Sequence, residues 1–591
     1  MDPADRAMTG VATDLSRRRY WLAFALVLAA AALLRGLFPT ADPPWNPGVG
    51  VVWHDEGAWV HNARNKALFG AWSSDQWNPM YIAPVFTGLE YLSFRLFGVG
   101  VWQARLVPEL LGLGSILLLG LGVTRQAGRH AGLIAAGLLG TNYVYAMWNR
   151  AALMEGPMVA FIVAAWYCYA RIEDDPRWGA AASACAWLAF FTKAAAAFFV
   201  AAIAIDAVIA LIAARTAART GPAGATSQAR WTLGGLFVGG GVAFAAFVLP
   251  NWTDYRFYNW QMSVTRKPSY DLKSLIDRVT WFPVLHDLFT RMWFVLVLGA
   301  TAALGWMARW RERRPAERLL LLWVGLGSVE LILHDVGNER RFIFFIPGLV
   351  ALASIALGRA RVVPESVAEI PRMRALIAMP VVLYTAYVVT GALVRLAFIR
   401  EVGPNVRLAA GLAVGLTAAL YVTWPRIPRA LARGGWKPSA SLALSLLVCG
   451  GQLTQYAQWA SGRSYKNYNA SVELGRRLPP GTLVHGKLAN GLSLENRIRP
   501  VFVGRGFGNF EDRKRRDDVR YILTYIAPSL GYESQAHNPI IQDVLDAYPD
   551  ERIIMTFDVA ETATGHDRAA LIDKFGGGAG RTVPQSGRAK H

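Results

Sequence analysis

Apolar runs of about 17 to 24 residues recur along this 591-residue chain, and each is long enough to cross roughly 30 Å of hydrocarbon at about 1.5 Å per residue. Within lipid a segment must satisfy its own backbone N–H and C=O groups, so such runs fold as helices. The expected fold class is a polytopic α-helical membrane protein. Arginine clusters in the short links between runs, where positive charge fixes which side stays in the cytoplasm. On that rule about thirteen spans follow, near 20–37, 105–123, 131–148, 152–170, 179–192, 195–213, 231–250, 289–308, 319–334, 341–357, 375–397, 405–423 and 438–458. Residues 1–19 are then a cytoplasmic N-terminus, and the odd count leaves the C-terminus outside. The first run, after Arg17-Arg18-Arg19, is long and lacks a small-residue cleavage site, so it reads as a retained span rather than a signal peptide.

The formal charge of +20 is used up in setting topology, which argues against nucleic acid as a partner. Cys168, Cys185 and Cys449 all fall inside expected spans at spacings that suit neither a metal nor a disulfide framework.

The polar segments carry the chemistry. Residues 39–82 form an external loop rich in Trp, Pro and Asn, and 83–98 read as an amphipathic helix on the membrane surface. A second external loop, 251–288, is again aromatic, with Trp252, Tyr255, Tyr258, Trp260, Arg266, Lys267 and Tyr270. The transmembrane domain covers 20–458. Residues 459–575 change to the composition of a small external α/β domain, with strand-like runs at 482–485, 500–503, 519–523 and 552–557. The Gly-rich, polar end, 576–591, reads as a disordered tail.

Four places can carry chemistry. In Trp53-His54-Asp55-Glu56-Gly57, Asp55 either caps a surface helix running to about Leu68, aligning Trp59, Asn62 and Lys66, or acts as a general base with Glu56 orienting it or touching a sugar. In Asn149-Arg150-Ala151-Ala152-Leu153-Met154-Glu155, an acid entering an apolar helix must be paired or functional, and Arg150 is its nearest partner in sequence. In the hairpin His334-Asp335-Val336-Gly337-Asn338-Glu339-Arg340-Arg341-Phe342, paired arginines suit bidentate phosphate binding, with His334 as a further donor. Lys193, after Phe191-Thr192, either neutralises the same phosphate or marks the interface.

Taken in order, these motifs resemble a known family. The Asp-Glu pair, the surface helix ending Leu96-Phe97-Gly98 before Ala104-Arg105-Leu106, the Asn-Arg-Ala-x-Leu-x-Glu stretch, Phe191-Thr192-Lys193 and the Arg-Arg-Phe-x-x-x-x-Pro hairpin are similar to those of the glycosyltransferase C superfamily. The likeness is to its protein O-mannosyltransferase and aminoarabinose transferase branch, and it spans most of residues 15–360. It implies a sugar donor on a polyprenyl phosphate, inverting displacement at the outer membrane face, and Asp55 as the catalytic carboxylate. Glu155 stands where many relatives carry Asp. Lys193, Arg266, Lys267, His334, Arg340 and Arg341 become candidates for the lipid phosphate; Trp53, His54, Trp59, Asn62, Arg150 and Trp252 become candidates for the sugar cavity.

No cofactor is required on this reading, since basic side chains can stabilise a leaving phosphate. Asp55, Glu56, Glu155 and His334 are nonetheless of the types that hold a divalent metal. Membrane lipid and a glycan, lipid or protein acceptor complete the expected partners. The competing class is a transporter or flippase of a lipid-linked glycan, for which inverted repeats would be expected and none is evident. A polysaccharide polymerase or ligase would place its most loaded loop later in the chain.

Overall fold

The computed structural model describes residues 15–44, 53–216, 224–264, 271–276, 291–334, 339–359, 371–400, 402–403, 405–423, 438–502, 512–526, 546–560 and 567–576. Helix α1 (Arg17–Gly36) starts at Ser16, whose hydroxyl accepts from the Arg19 N–H at 3.4 Å. Two short helices follow, α2 (His54–Trp59) and α3 (His61–Phe69), and then α4 (Pro84–Phe97). Proline in its first turn favours the start of α4, and Gly98 at φ 84° ends it. Thr87, Glu90 and Ser93 on α4 are buried while Leu92, Leu96 and Phe97 are exposed. That inverted distribution fits a helix lying on a membrane with its apolar face outward.

The helical core follows: α5 (Val101–Ala127), α6 (Arg129–Thr141), α7 (Tyr143–Asn149), α8 (Glu155–Tyr169), α9 (Trp178–Thr192), α10 (Ala197–Thr216) and α11 (Ala225–Ala243), the last continued by a π turn, Phe244–Val248. Next come α12 (Trp252–Val264), α13 (Trp293–Met307), α14 (Pro315–His334), α15 (Phe345–Gly358), α16 (Pro371–Ile399), α17 (Val406–Thr423) and α18 (Pro438–Ser461). Among the described residues four stretches are long and apolar enough to cross a membrane by length and composition: Arg17–Gly36, Val101–Ala127, Ala194–Ala214 and Ala225–Val248. Helix α5 sits centrally, packed on α6 and α8, while α1 and α15 both pack on α6. Small residues allow the close approach: Gly120 of α5 lies under the Phe24 ring and Gly122 under Trp166.

One expected span is divided. The stretch 131–148 breaks at Asn142, whose backbone leaves the helical region (ψ 115°) and whose side chain accepts from Tyr145 N at 2.8 Å. An asparagine at that position caps a new helix instead of continuing the old one.

Beyond α18 lie α19 (Lys466–Arg477), β1 (Leu483–His485), α20 (Lys487–Gly491), β2 (Arg499–Val501), β3 (Tyr521–Tyr525), β4 (Arg552–Val559) and β5 (Asp567–Asp573). They form one sheet in the order β2-β1-β3-β5-β4. Strand β1 is parallel to β2 and β3, whereas β5 is antiparallel to β3 and β4. Four strands fall on the expected runs; β5 is a fifth, and it completes the sheet between β3 and β4. The domain core gathers Leu474, Val484, Leu488, Leu523 and Leu571. Trp53, from the first polar loop, is buried in the same cluster, so that loop and the sheet share one core.

Candidate active site

Asp55, Glu56 and Gly57 follow one another on α2, about 100° apart around its axis, and each meets a different part of the molecule. Asp55 Oδ2 accepts from Arg340 Nη1 at 2.7 Å. Glu56 takes both Nε and Nη2 of Arg105 at 2.8 Å and accepts from Ala152 N at 2.8 Å. Gly57 presses on the backbone of α20, where a Cβ would stand 1.8 Å from the Asn490 carbonyl oxygen.

Glu155 opens α8 and is buried. Lys193 Nζ donates to its Oε1 at 2.6 Å, and Arg340 Nε lies 3.4 Å from the same oxygen. Lys193 is the residue at which the chain turns out of α9, with extended backbone at φ −159°. One guanidinium, that of Arg340, thus bridges two carboxylates that are 100 residues apart in sequence, and Lys193 closes the far end. Burial pushes the Lys193 ammonium down to about 8; Glu155 opposes that shift, while Arg340 and Arg341 add to it. Three cations therefore share one field beside Asp55 and Glu155. In chemical terms the cluster joins a carboxylate able to take a proton to positive charge able to receive an anion.

The site differs from the sequence expectation in several respects. Asp55 caps no surface helix: α2 is buried and ends at Val60, and Asp55 lies within its first turn. Glu155 does not pair with Arg150. That guanidinium instead donates to the carbonyls of Leu34, Arg35 and Phe38 and stacks 4.6 Å from the Trp459 ring, because it lies under the end of α1. Glu56 is a tie between α2 and α5, not an open carboxylate. Asn62 supports the loop behind the site, donating to Trp72 O and Asn78 Oδ1 and accepting from Met80 N. Trp59 is buried on Trp77; Trp53 is buried in the core of the sheet domain and lines a small cavity with Asp42, Glu56, Arg105 and Asn467. Trp252 begins α12 and is 49% exposed. His54 does lie at the site, with Nε2 3.8 Å from Asp55 Oδ1. Arg341 is half-buried beside Arg340. Arg266, Lys267 and the side chain of His334 lie outside the described residues.

Two functional neighbours were not singled out from sequence as parts of the site. Arg105 appeared only within a family motif, although a lone Arg entering an apolar run is a signal of a buried partner. Glu90, fully buried on α4, has neither carboxyl oxygen hydrogen-bonded. Burial, with the charge of Glu56 nearby, pushes its carboxyl well above the ordinary range. Among the described residues no three of His, Cys, Asp and Glu gather in a way that would hold a metal ion.

Comparison with known proteins bears on what this geometry does. Residues 82–227 match the family described as dolichyl-phosphate-mannose-protein mannosyltransferase. The resemblance to the glycosyltransferase C superfamily is borne out. The matched segment runs from just before α4 through α10 and contains Glu155 and Lys193, and it supports glycosyltransferase activity. Among solved structures, ArnT from Cupriavidus metallidurans bound to undecaprenyl phosphate is similar at 15% identity and a TM-score of 0.48, over 94% of this chain and 98% of that one. Its apo state gives 16% and 0.49 over the same shares. The oligosaccharyltransferase of Archaeoglobus fulgidus in its apo form gives 11% and 0.47, over 86% of this chain and 70% of that one. No curated protein matches the chain by sequence.

Two buried groups give opposite expectations. Arg105→Met leaves Glu56 charged and unpaired, and thermal unfolding in detergent should show a loss of about 3–5 kcal/mol, much of it recovered by adding Glu56→Gln. Glu90 behaves the other way. Its raised value means that the native protein binds a proton the unfolded chain releases, so its contribution favours folding below the ordinary Glu range and is lost as pH rises above it. Glu90→Gln should therefore raise stability by about 1–3 kcal/mol at pH 8, a gain that shrinks towards pH 4; a constant offset across that range would contradict the assignment.

Proposed function

We propose that the protein transfers a sugar from a polyprenyl-phosphate donor to an acceptor hydroxyl or amine at the outer face of the cytoplasmic membrane, with inversion, using Asp55 as general base. The observation that carries this reading is the Arg340 guanidinium held between Asp55 and Glu155 with Lys193 beside it. The donor class agrees with the dolichyl-phosphate-mannose in the description of the matching family. On this reading the membrane domain holds the polyprenyl tail between its helices, and the sheet domain after α18 stands outside.

The steps follow from the charges. Asp55 is ion-paired with Arg340. A donor phosphate attracts Arg340, Arg341 and Lys193, and drawing Arg340 away frees the Asp55 carboxylate. Asp55 then takes the acceptor proton as the acceptor oxygen or nitrogen bonds to the anomeric carbon. The bond from that carbon to the phosphate oxygen breaks, and the phosphate leaves carrying the electron pair. The cations stabilise the charge where it develops, so a divalent metal is not a required part of the scheme. Glu155 holds Lys193 and Arg340 in place, and His54 flanks the base.

Transfer of radiolabelled sugar from a panel of polyprenyl-phosphate donors by purified protein in lipid tests this. Asp55→Asn should lower the rate by about 10²- to 10⁴-fold while undecaprenyl phosphate still binds, and chelator should leave wild-type transfer intact. If no donor is consumed and a lipid-linked glycan instead crosses reconstituted vesicles, the molecule is a transporter. A second expectation concerns pH. Lys193 carries its charge below about 8 and loses it above, so donor affinity should fall between pH 7 and 9. Lys193→Arg, charged throughout that range, should flatten the dependence; an unchanged slope would remove Lys193 from the phosphate site.

A further inference from the structure

The sheet domain reaches the base itself. Gly491, at the end of α20, lies so close to α2 that a Cβ there would stand 2.8 Å from both His54 Cβ and Trp53 Cζ3. Across the same crossing, Gly57 admits the Asn490 carbonyl. Gly57 meets the backbone of α20 directly and Gly491 seats against His54 and the buried Trp53 ring, so the position of α2, and of Asp55 on it, is set by close packing against α20.

A second set of contacts fixes the crossing. Arg64 of α3 is fully buried, and burial lowers its guanidinium to about 9. It donates to the carbonyls of Ser493, Asn496 and Ile498, each at 3.0 Å, gripping the turn that leaves α20. Asn490 Nδ2 lies 3.0 Å from His61 Nδ1, and His61 Nε2 lies 3.0 Å from Asp75 Oδ1. A His61 that donates from Nε2 to Asp75 accepts from Asn490 at Nδ1, which makes one continuous chain of hydrogen bonds. Asp75 Oδ2 in turn accepts from Phe502 N at 2.8 Å, just after β2. A fully buried cation held by backbone carbonyls of a distant segment costs desolvation that burying an apolar residue would avoid. Its geometric yield is a fixed register between α3 and the turn at 493–498.

We propose that segment 487–498 of the sheet domain is a positioning element of the active site, placing Asp55 through the Gly57–Gly491 crossing and the Arg64 clamp. The proposal rests on the reading of Asp55 as base. Gly491→Ala and Arg64→Met loosen the same register from opposite sides, one by forcing the backbones apart and one by removing the grip.

The test uses the full chain in lipid nanodiscs, with polyprenyl-phosphate mannose as donor and amide hydrogen exchange as a second readout. Both variants should lower kcat by about 10²-fold, the scale of a displacement of about 1 Å at a reacting group. The KM for donor should stay within about twofold, and exchange should speed up in residues 54–60 but not in α15. A role as mere glue would lower the melting temperature and leave kcat per folded molecule unchanged, and that result in both variants overturns the proposal. Failure of wild-type protein to transfer sugar from any donor defeats the enzymatic reading separately. Exchange then decides the mechanical coupling alone: faster exchange confined to 54–60 upholds it, and unchanged exchange there overturns it.

Discussion

A carboxylate removed from water at the edge of a bilayer has to find positive charge, and most of the arrangement around α2 follows from that requirement. Three buried acids, Asp55, Glu56 and Glu155, meet three cations, Arg340, Arg105 and Lys193. The six groups come from five separate parts of the chain, so the pairs act as ties. Arg105 binds α2 to α5 and, through the carbonyls of Pro39 and Ala41, also fixes the end of the loop after α1. Arg340 binds α2 to α8 and to the turn before α15. Releasing one of these ties weakens the pairing of a buried charge, so each tie holds the elements it joins in register.

What the sequence disclosed and what it hid divide along the same line. Apolar runs located the helices because burial in lipid is a property of composition, and Asp55, Glu155, Lys193 and Arg340 were visible because a charge in such a place needs a reason. Their pairing was not visible. Arg150, five residues before Glu155, looked the natural partner, yet α8 begins at Glu155 and the preceding turn carries Arg150 under α1. Proximity in sequence is a poor guide where a helix starts between two residues. Strand β5 escaped for a related reason: Asp-Arg-Ala-Ala-Leu-Ile-Asp has the composition of a helix and becomes a strand through pairing with β3 and β4 on both sides, a tertiary effect that overrides propensity. Arg64 carries no signal in the sequence, because its partners are carbonyls and carbonyls have no signature there.

The sheet domain would be easy to regard as an appendage, since its strands carry no group of evident chemistry. Its contacts argue otherwise. Asp42, at the edge of the first polar loop, accepts from Ser464 Oγ and from the backbone N–H groups of Lys466 and Asn467, and Trp77 stacks on Phe502 with ring centres 4.6 Å apart. Together with Trp53 in the domain core, these contacts sit before, within and after the segment that carries Asp55. A reacting group must be held to a fraction of an ångström, and these three contacts tie the segment that carries Asp55 to the sheet domain on both sides.

The charges also suit the proposed reaction. Asp55, Glu56 and Glu155 face four cations, Arg105, Lys193, Arg340 and Arg341, and the one negative charge of a donor phosphodiester brings the site to neutrality. As the sugar departs, the phosphate becomes a monoester and gains a second negative charge, while Asp55, having taken the acceptor proton, loses its own. The total inside the site does not change. Negative charge moves from Asp55 to the phosphate, and Arg340, which the structure places on Asp55 before the donor arrives, can follow it. A transfer arranged in this way never isolates a charge in a region where isolation would cost several kcal/mol, and the same guanidinium stabilises the base at rest and the leaving group in action.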